Sequence, residues 1–134
     1  MLDFPREIGL KRAMCHDKKQ WDSYIRVLGT KSSCYTSLYS FKELKDGRIN
    51  YDTVIIDRAW WDFDSNDDYT IEDVKDDVAL LLRRLEGDVR LVATGRGFHI
   101  HQLFKTPVIG KVWMRKLQAL SLIHISEPTR RTPI

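Results

Sequence analysis

The stretch from Val54 to Asp64, Val-Ile-Ile-Asp-Arg-Ala-Trp-Trp-Asp-Phe-Asp, constrains this chain more than any other. Its β-branched and aromatic residues favour a strand, and it ends on Asp62 and Asp64, two positions apart. Successive strand side chains alternate faces, so i and i+2 share one. A strand here sends both carboxylates to one side and Trp61 and Phe63 to the other. Burying two unpaired carboxylates costs several kcal/mol, so the acidic face has to be open to water or neutralised by a cation. The stretch Thr94-Gly-Arg-Gly-Phe-His-Ile-His101 repeats this geometry with different chemistry. His99 and His101 share one face, Phe98 and Ile100 the opposite one. Two carboxylates and two histidines on facing strands suggest a metal and phosphate site.

At 134 residues the chain fits one domain and can bury a sizeable core. Its apolar and charged fractions, 43% and 31%, are those of an ordinary globular protein. No apolar run approaches the roughly 20 residues of a membrane span. Charges of both signs interrupt the start, Met1 to Glu7, where a signal peptide would be apolar. A cytoplasmic protein with no membrane partner is therefore expected. The net charge of +3 permits local basic patches without demanding a nucleic-acid partner. Cys15, His16 and Cys34 could offer three zinc ligands, but their spacing matches no common zinc module. Two reduced, half-buried thiols are the expectation.

In chain order, residues 1–16 show no period. Residues 17–28 place Trp21, Tyr24, Ile25 and Leu28 at helical spacing, and Gly29 can end the helix. Cys34 to Phe41 reads as one strand, and Lys45-Asp46-Gly47 as a turn. A strand follows from Tyr51 to Asp64, with a break or bulge expected near Asp57-Arg58. Thr70 and Asp73 resemble a capping box with Asp in place of Glu. Ile71, Val74, Val78, Leu81, Leu82 and Leu85 then form one apolar helical stripe, stopped by Gly87. Asp73, Asp76 and Asp77 near its start and Arg83-Arg84 near its end suit the helix dipole. Residues 88–93 alternate as a strand, and Phe98 to Phe104 returns as another. A helix with a basic face (Lys111, Arg115, Lys116) is predicted over 108–120. The order strand–helix–strand–turn–strand implies an α+β fold, ferredoxin-like, with helices on one face of the sheet.

The residue chemistry leaves alternatives. Hard cations prefer carboxylate oxygens, and Mg²⁺ usually takes one or two of them plus substrate phosphates, which suits Asp62 and Asp64. The competing account is an exposed strand edge whose charges deter pairing. In the glycine turn, backbone N–H groups can converge on an anion. Thr94 would add a hydroxyl, Arg96 a fork and His99 a ring donor. The turn is neither a dinucleotide fingerprint nor a Walker loop, and a plain hairpin with a surface Arg competes with the anion reading. For His101, a histidine hydrogen-bonded at the sheet surface is the simpler account.

Together, the segment from Tyr51 to Asp64 and the turn Thr94-Gly95-Arg96-Gly97-Phe98-His99 resemble the archaeo-eukaryotic primase (prim-pol) superfamily. That family pairs an Asp-x-Asp/Glu strand with a small-residue/Gly/basic/Gly turn leading to a histidine. The resemblance covers residues 50–105. It implies an RRM-like catalytic sheet, a partial prim-pol fold, with 1–50 as an N-terminal α/β part and 51–120 as an incomplete metal- and nucleotide-binding subdomain. It further implies that Asp62 and Asp64 hold catalytic Mg²⁺ or Mn²⁺. His99 would contact the triphosphate of an incoming nucleotide, assisted by Thr94, Gly95, Arg96 and Gly97. The activity implied is template-directed nucleotidyl transfer by a DNA primase or primase-polymerase. Its partners would be nucleoside triphosphates, a single-stranded DNA template and a replicative helicase. The family's third carboxylate motif has no match before residue 120. Residues 121–134, with the string Ser-Leu-Ile-His-Ile-Ser-Glu-Pro-Thr-Arg, resemble a translated sequencing-adapter tail. They are set aside as non-native, the natural chain being expected to continue past 120.

Two other readings use the same residues. A metal-dependent nuclease or phosphohydrolase would turn the carboxylates to water activation. A non-catalytic module would stack single-stranded bases on exposed Trp60, Tyr35 or Tyr39.

Overall fold

The computed structural model describes residues 3–29, 34–120 and 131–133. The tail segment 121–130 and residue 134 lie outside the described residues. Among those described, 3–29, 34–56, 108–115 and 131–133 form one compact unit, and 57–107 with 116–120 form a second.

The first unit opens with an antiparallel hairpin, β1 (Arg6–Ile8) and β2 (Ala13–Cys15), in the register Glu7↔Met14. Strands of three residues are too short to display alternation, and β1 is buried throughout, so no period marked them in the sequence. Helix α1 (Lys18–Leu28) follows the predicted pattern. The Asp17 carboxylate caps it by accepting from the Gln20 N–H at 2.8 Å. Trp21 joins Ile8, Cys15 and Cys34 in a small core, with Tyr24, Ile25 and Leu28 packed against it. Both cysteines are free and buried rather than half-buried, and burial raises the Cys15 thiol above its ordinary pKa.

Cys34 to Phe41 does not form one strand. It divides into β3 (Tyr35–Ser37) and β4 (Ser40–Phe41), which belong to different sheets. The Ser37 hydroxyl causes the break. It donates to the Tyr39 carbonyl two residues on at 2.7 Å and accepts from the Glu7 N–H at 3.1 Å. Such a local side-chain bond competes with the strand ladder. Strand β3 pairs with β1 on one side and with β10 (Arg131–Pro133) on the other. The predicted turn at Lys45-Asp46-Gly47 joins β5 (Leu44–Lys45) to β6 (Arg48–Ile49). Its two central residues, Asp46 and Gly47, both have positive φ, 53° and 74°, as a two-residue hairpin turn requires.

A short 3-10 turn, Tyr51–Thr53, replaces the first residues of the predicted long strand; the Asn50 side chain caps it. β7 (Val54–Asp64) then runs without the expected break at Asp57-Arg58. Helix α2 (Ile71–Leu82) has the predicted capping box in full. Thr70 accepts from the Asp73 N–H, and Asp73 accepts from the Thr70 N–H. The helix ends one turn before Leu85, and Gly87, at φ 86°, directs the chain into β8 (Val89–Ala93). β9 (Gly97–Ile109) is longer than predicted and takes up the first residues of the expected last helix. Gly110, at φ 112°, separates it from α3 (Lys111–Ala119). Lys111, Arg115 and Lys116 are all exposed on α3.

The larger sheet has the order β4-β7-β9-β8. β8 and β9 are antiparallel, in the register Leu91↔Ile100. β7 and β9 also run in opposite directions. Gly97, at the start of β9, lies against Phe63 near the end of β7, whereas the Gly110 N–H just after β9 donates to the Val54 carbonyl at its start. Hence α2 connects two parallel strands with a third inserted between them, a split β-α-β unit. Ala59, Trp61 and Ile100 on one sheet face bury Val74 and Val78 of α2, with Phe63, Leu81 and Phe98 packed around them. The architecture is α+β, as the order of elements predicted. No helix among the described residues is long and apolar enough to cross a membrane.

Truncation of the fully packed Trp61 to Ala is expected to lower unfolding free energy by about 3–5 kcal/mol. Thr70→Ala, which removes a cap, should cost about 1 kcal/mol. Urea unfolding midpoints of the two variants check both values and their ranking.

Candidate active site

Alternation along β7 places Arg58, Trp60, Asp62 and Asp64 on the face away from α2. β9 contributes His99 and His101 to the same face. The His99 Nε2 lies 3.3 Å from the Asp62 Oδ1, with side-chain exposures of 13% and 17%. This is just beyond the usual hydrogen-bond range of roughly 2.7–3.2 Å. A carboxylate so far withdrawn from water needs a donor or a cation beside it, and the His99 ring nitrogen stands beside it without reaching hydrogen-bond geometry. Asp64, by contrast, is exposed. The expected acidic face therefore holds one sheltered carboxylate against an imidazole and one solvated carboxylate at its rim.

Aromatic contacts hold the imidazoles. Trp60, 1% exposed, meets His99 edge-on at a centroid distance of 5.2 Å and His101 at 6.4 Å. The two imidazoles are 6.3 Å apart. Arg58 forms a two-pronged bond with Asp57, at 2.8 and 2.9 Å, and approaches the His101 Nδ1 at 3.4 Å. Arginine has no acceptor, so neutral His101 must accept at Nδ1 and carry its proton on Nε2. Burial, with the Arg58 charge second, lowers the His101 pKa to about 4. His101 is thus a neutral, partly buried sheet histidine.

The turn from Thr94 to Gly97 differs from an anion cradle in its backbone. Neither Gly95 nor Gly97 has a positive φ. The Thr94 N–H donates to the Gly97 carbonyl at 2.8 Å, and the Gly97 N–H donates to the Thr94 Oγ1 at 3.0 Å. These two N–H groups therefore close the hairpin upon itself. The Arg96 carbonyl accepts from both the N–H and the hydroxyl of Ser65, at 2.8 and 2.7 Å, which ties the turn to the end of β7. Gly97 is needed for closeness: a Cβ there would sit 1.7 Å from the Phe63 carbonyl oxygen, whereas one on Gly95 would meet nothing within 4 Å. The exposed Arg96 side chain remains at the tip.

Of the predicted residues, Asp62 and His99 meet directly, Asp64 stands two residues beyond on the same face, and Thr94 to Gly97 form the adjoining turn. Arg58, Trp60 and Ser65 were missed as positioning residues. The first two share the spacing of Asp62 and Asp64, so alternation already contained them. Ser65 carried no signal, because its partner is a backbone atom 31 positions away. Trp60 and Tyr39 are each 1% exposed, and Tyr35 is half-buried. The base-stacking surface expected of the first two is therefore absent.

Among the described residues no group of three or more His, Cys, Asp or Glu side chains is arranged to hold a metal ion. The donor chemistry of Asp62 and Asp64 nevertheless suits a hard divalent cation that completes its shell with water and phosphate oxygens. Comparison with protein-family models, curated proteins and solved structures finds no match for this chain.

Two outcomes are expected of these residues. Gly97→Ala should destabilise by more than about 2 kcal/mol, because backbone must move, whereas Gly95→Ala should be near neutral in chemical denaturation. His101 is about 4 folded and about 6.5 unfolded, so the unfolded chain binds the extra proton between those values. Stability should fall as pH drops from about 6.5 to 4, by about 1 kcal/mol after allowing for solvent screening. His101→Gln should flatten that part of a melting-temperature-versus-pH profile.

Proposed function

We propose that this chain carries the catalytic face of a metal-dependent nucleotidyltransferase of the DNA primase-polymerase type. One observation carries the reading: Asp62 and His99, from the two motifs that resemble that superfamily, lie 3.3 Å apart across β7 and β9. Nothing local in either motif requires this meeting. The split β-α-β unit, with β4 beside β7, is what an RRM- or ferredoxin-like sheet would contain, and it supports the finer fold reading.

On this reading Asp62 and Asp64 would hold Mg²⁺ or Mn²⁺. Such an ion, when bound, supplies charge stabilisation for phosphoryl transfer and activates the attacking hydroxyl. The chain's own contribution is placement. Asp62 orients the His99 ring through its Nε2 side, and the Trp60 edge restricts its rotation. With Nε2 turned to Asp62, a doubly protonated His99 would then donate its Nδ1–H to a phosphate oxygen of the nucleoside triphosphate. Arg96, at the tip of a turn clamped by Ser65, would supply a guanidinium fork to the same phosphates. Thr94 is occupied as an acceptor inside the turn, which leaves its hydroxyl proton as its contribution. The substrates would be nucleoside triphosphates and a template-bound 3′-hydroxyl, with pyrophosphate as leaving group.

Calorimetric titration of nucleoside triphosphate in the presence of Mn²⁺ tests this. Binding should need the divalent ion and weaken by at least about tenfold in Asp62→Ala, the scale on which loss of one strong charge-assisted contact is felt. His99→Ala should weaken nucleotide binding while leaving Mn²⁺ affinity, followed by electron paramagnetic resonance, within about twofold. Metal-independent binding, or no change in Asp62→Ala and Asp64→Ala, would remove the proposal. Strand cleavage without nucleoside triphosphate would assign the face to hydrolysis instead.

A further inference from the structure

Strand β8 ends the larger sheet on one side, and among the described residues nothing pairs with its outer edge. The opposite margin of that sheet is β4, two residues long and buried. Edge strands are usually shielded by such brevity, by a bulge, by Pro or Lys, or by a covering element. Among the described residues β8 has none of these. Its five residues pair one for one with β9, so no bulge interrupts the ladder. It lacks Pro and Lys, and its one charged side chain, Arg90, is held by Asp88 at 3.1 and 3.3 Å. Leu91 and Val92, which alternation sends to opposite faces, are 49% and 47% exposed.

The ladder also fixes which backbone groups face outward. The Thr94 N–H donates to the Gly97 carbonyl, and the Asp88 carbonyl accepts from the Leu103 N–H. Antiparallel bonding alternates along a strand, so Asp88, Arg90, Val92 and Thr94 turn their backbone groups toward β9. Val89, Leu91 and Ala93 turn theirs to the free edge, each with one donor and one acceptor.

That row complements itself. A two-fold axis normal to the sheet runs a second β8 antiparallel to the first. Centred on Leu91, the pairing sets Leu91 opposite its own copy and Val89 opposite Ala93, which engages every outward group. The Leu91 side chains then pack together, and Arg90 stands beside Val92 of the partner subunit. Other registers do less well. Centred on Arg90, the pair would oppose two guanidinium groups, which is destabilising. Centred on Val89, it would set Leu91 against Gly87, at φ 86° and outside the strand. Centred on Val92, it would set Val89 against Gly95, already in the turn.

We propose that β8 is the pairing edge for a second copy of this chain, joining two sheets in an antiparallel two-fold dimer centred on Leu91. Such pairing uses up the edge on both copies, so assembly stops at two. So short a ladder belongs with small, transient interfaces, and half-association is expected at about 10–100 µM. The inference uses β8 alone and does not rest on the reading of Asp62 and His99.

Sedimentation equilibrium of the whole chain between about 2 and about 400 µM tests it. The wild type should pass from monomer to dimer and no further. Leu91→Lys opposes two ammonium groups at the axis and should weaken association by at least about tenfold. Val92→Glu would face Arg90 of the partner subunit twice per dimer and should tighten it by about threefold, whereas Val92→Lys should weaken it by about threefold. Val27→Lys, the same kind of change at an exposed position of α1, should stay within about twofold. All three positions are exposed, so circular dichroism at the lowest concentration should be unchanged. A monomer throughout, species larger than a dimer, or Leu91→Lys associating like Val27→Lys overturns the proposal. Val92 effects of reversed sign overturn the register and the dimer built on it. In hydrogen exchange, the Leu91 and Ala93 amides should be protected at the highest concentration and open at the lowest. Protection at both would mean that the chain covers its own edge, and the proposal fails.

Discussion

The approach of β9 to β7 at Gly97 is the contact on which the rest of the second unit depends. With hydrogen in place of a side chain, the Gly97 backbone reaches a separation from the Phe63 carbonyl that no Cβ could tolerate. The register that follows brings His99 beside Asp62 and, on the other face, keeps Ile100 in the core with Trp61 and α2. One backbone constraint thus serves packing on one side of the sheet and polar chemistry on the other. The two cannot be altered separately, because a one-residue slip would exchange the faces.

Around that contact the polar face is built from side chains that restrain one another. Trp60 lies edge-on to both histidines, Arg58 is shared between Asp57 and His101, and Ser65 holds the hairpin turn by its Arg96 carbonyl. Such mutual restraint holds side chains to one geometry, a requirement of any site that must place a reacting group. It also divides the two histidines by role. His101 faces a guanidinium and stays neutral, whereas His99 faces a carboxylate.

The first unit shows a different economy. Its core is small and built on short strands, and its polar interior is a network around Glu7, which Tyr51 and Arg12 both approach. A buried carboxylate must be satisfied this way or be destabilising. The network also fixes Tyr51, whose ring packs edge-on against Phe41.

What local physics dictates was legible in the residues themselves: both longer helices, the Thr70 capping box, the turn at Asp46-Gly47, and the alternation that sets Asp62 with Asp64 and His99 with His101. Each depends on spacing within a few positions. Sequence did not disclose the β1–β2 hairpin, whose strands are too short for a period. It missed the division of Cys34–Phe41, which a Ser37 hydroxyl bond decides, and it set Gly97 against an anion, whereas the close approach there is to the backbone of β7. Nor could it show that Trp60 is buried, or that the Tyr51 hydroxyl reaches the buried Glu7 carboxylate. Those outcomes belong to tertiary structure, because they depend on which distant backbone atom lies within about 4 Å, and spacing along one segment carries no information about that.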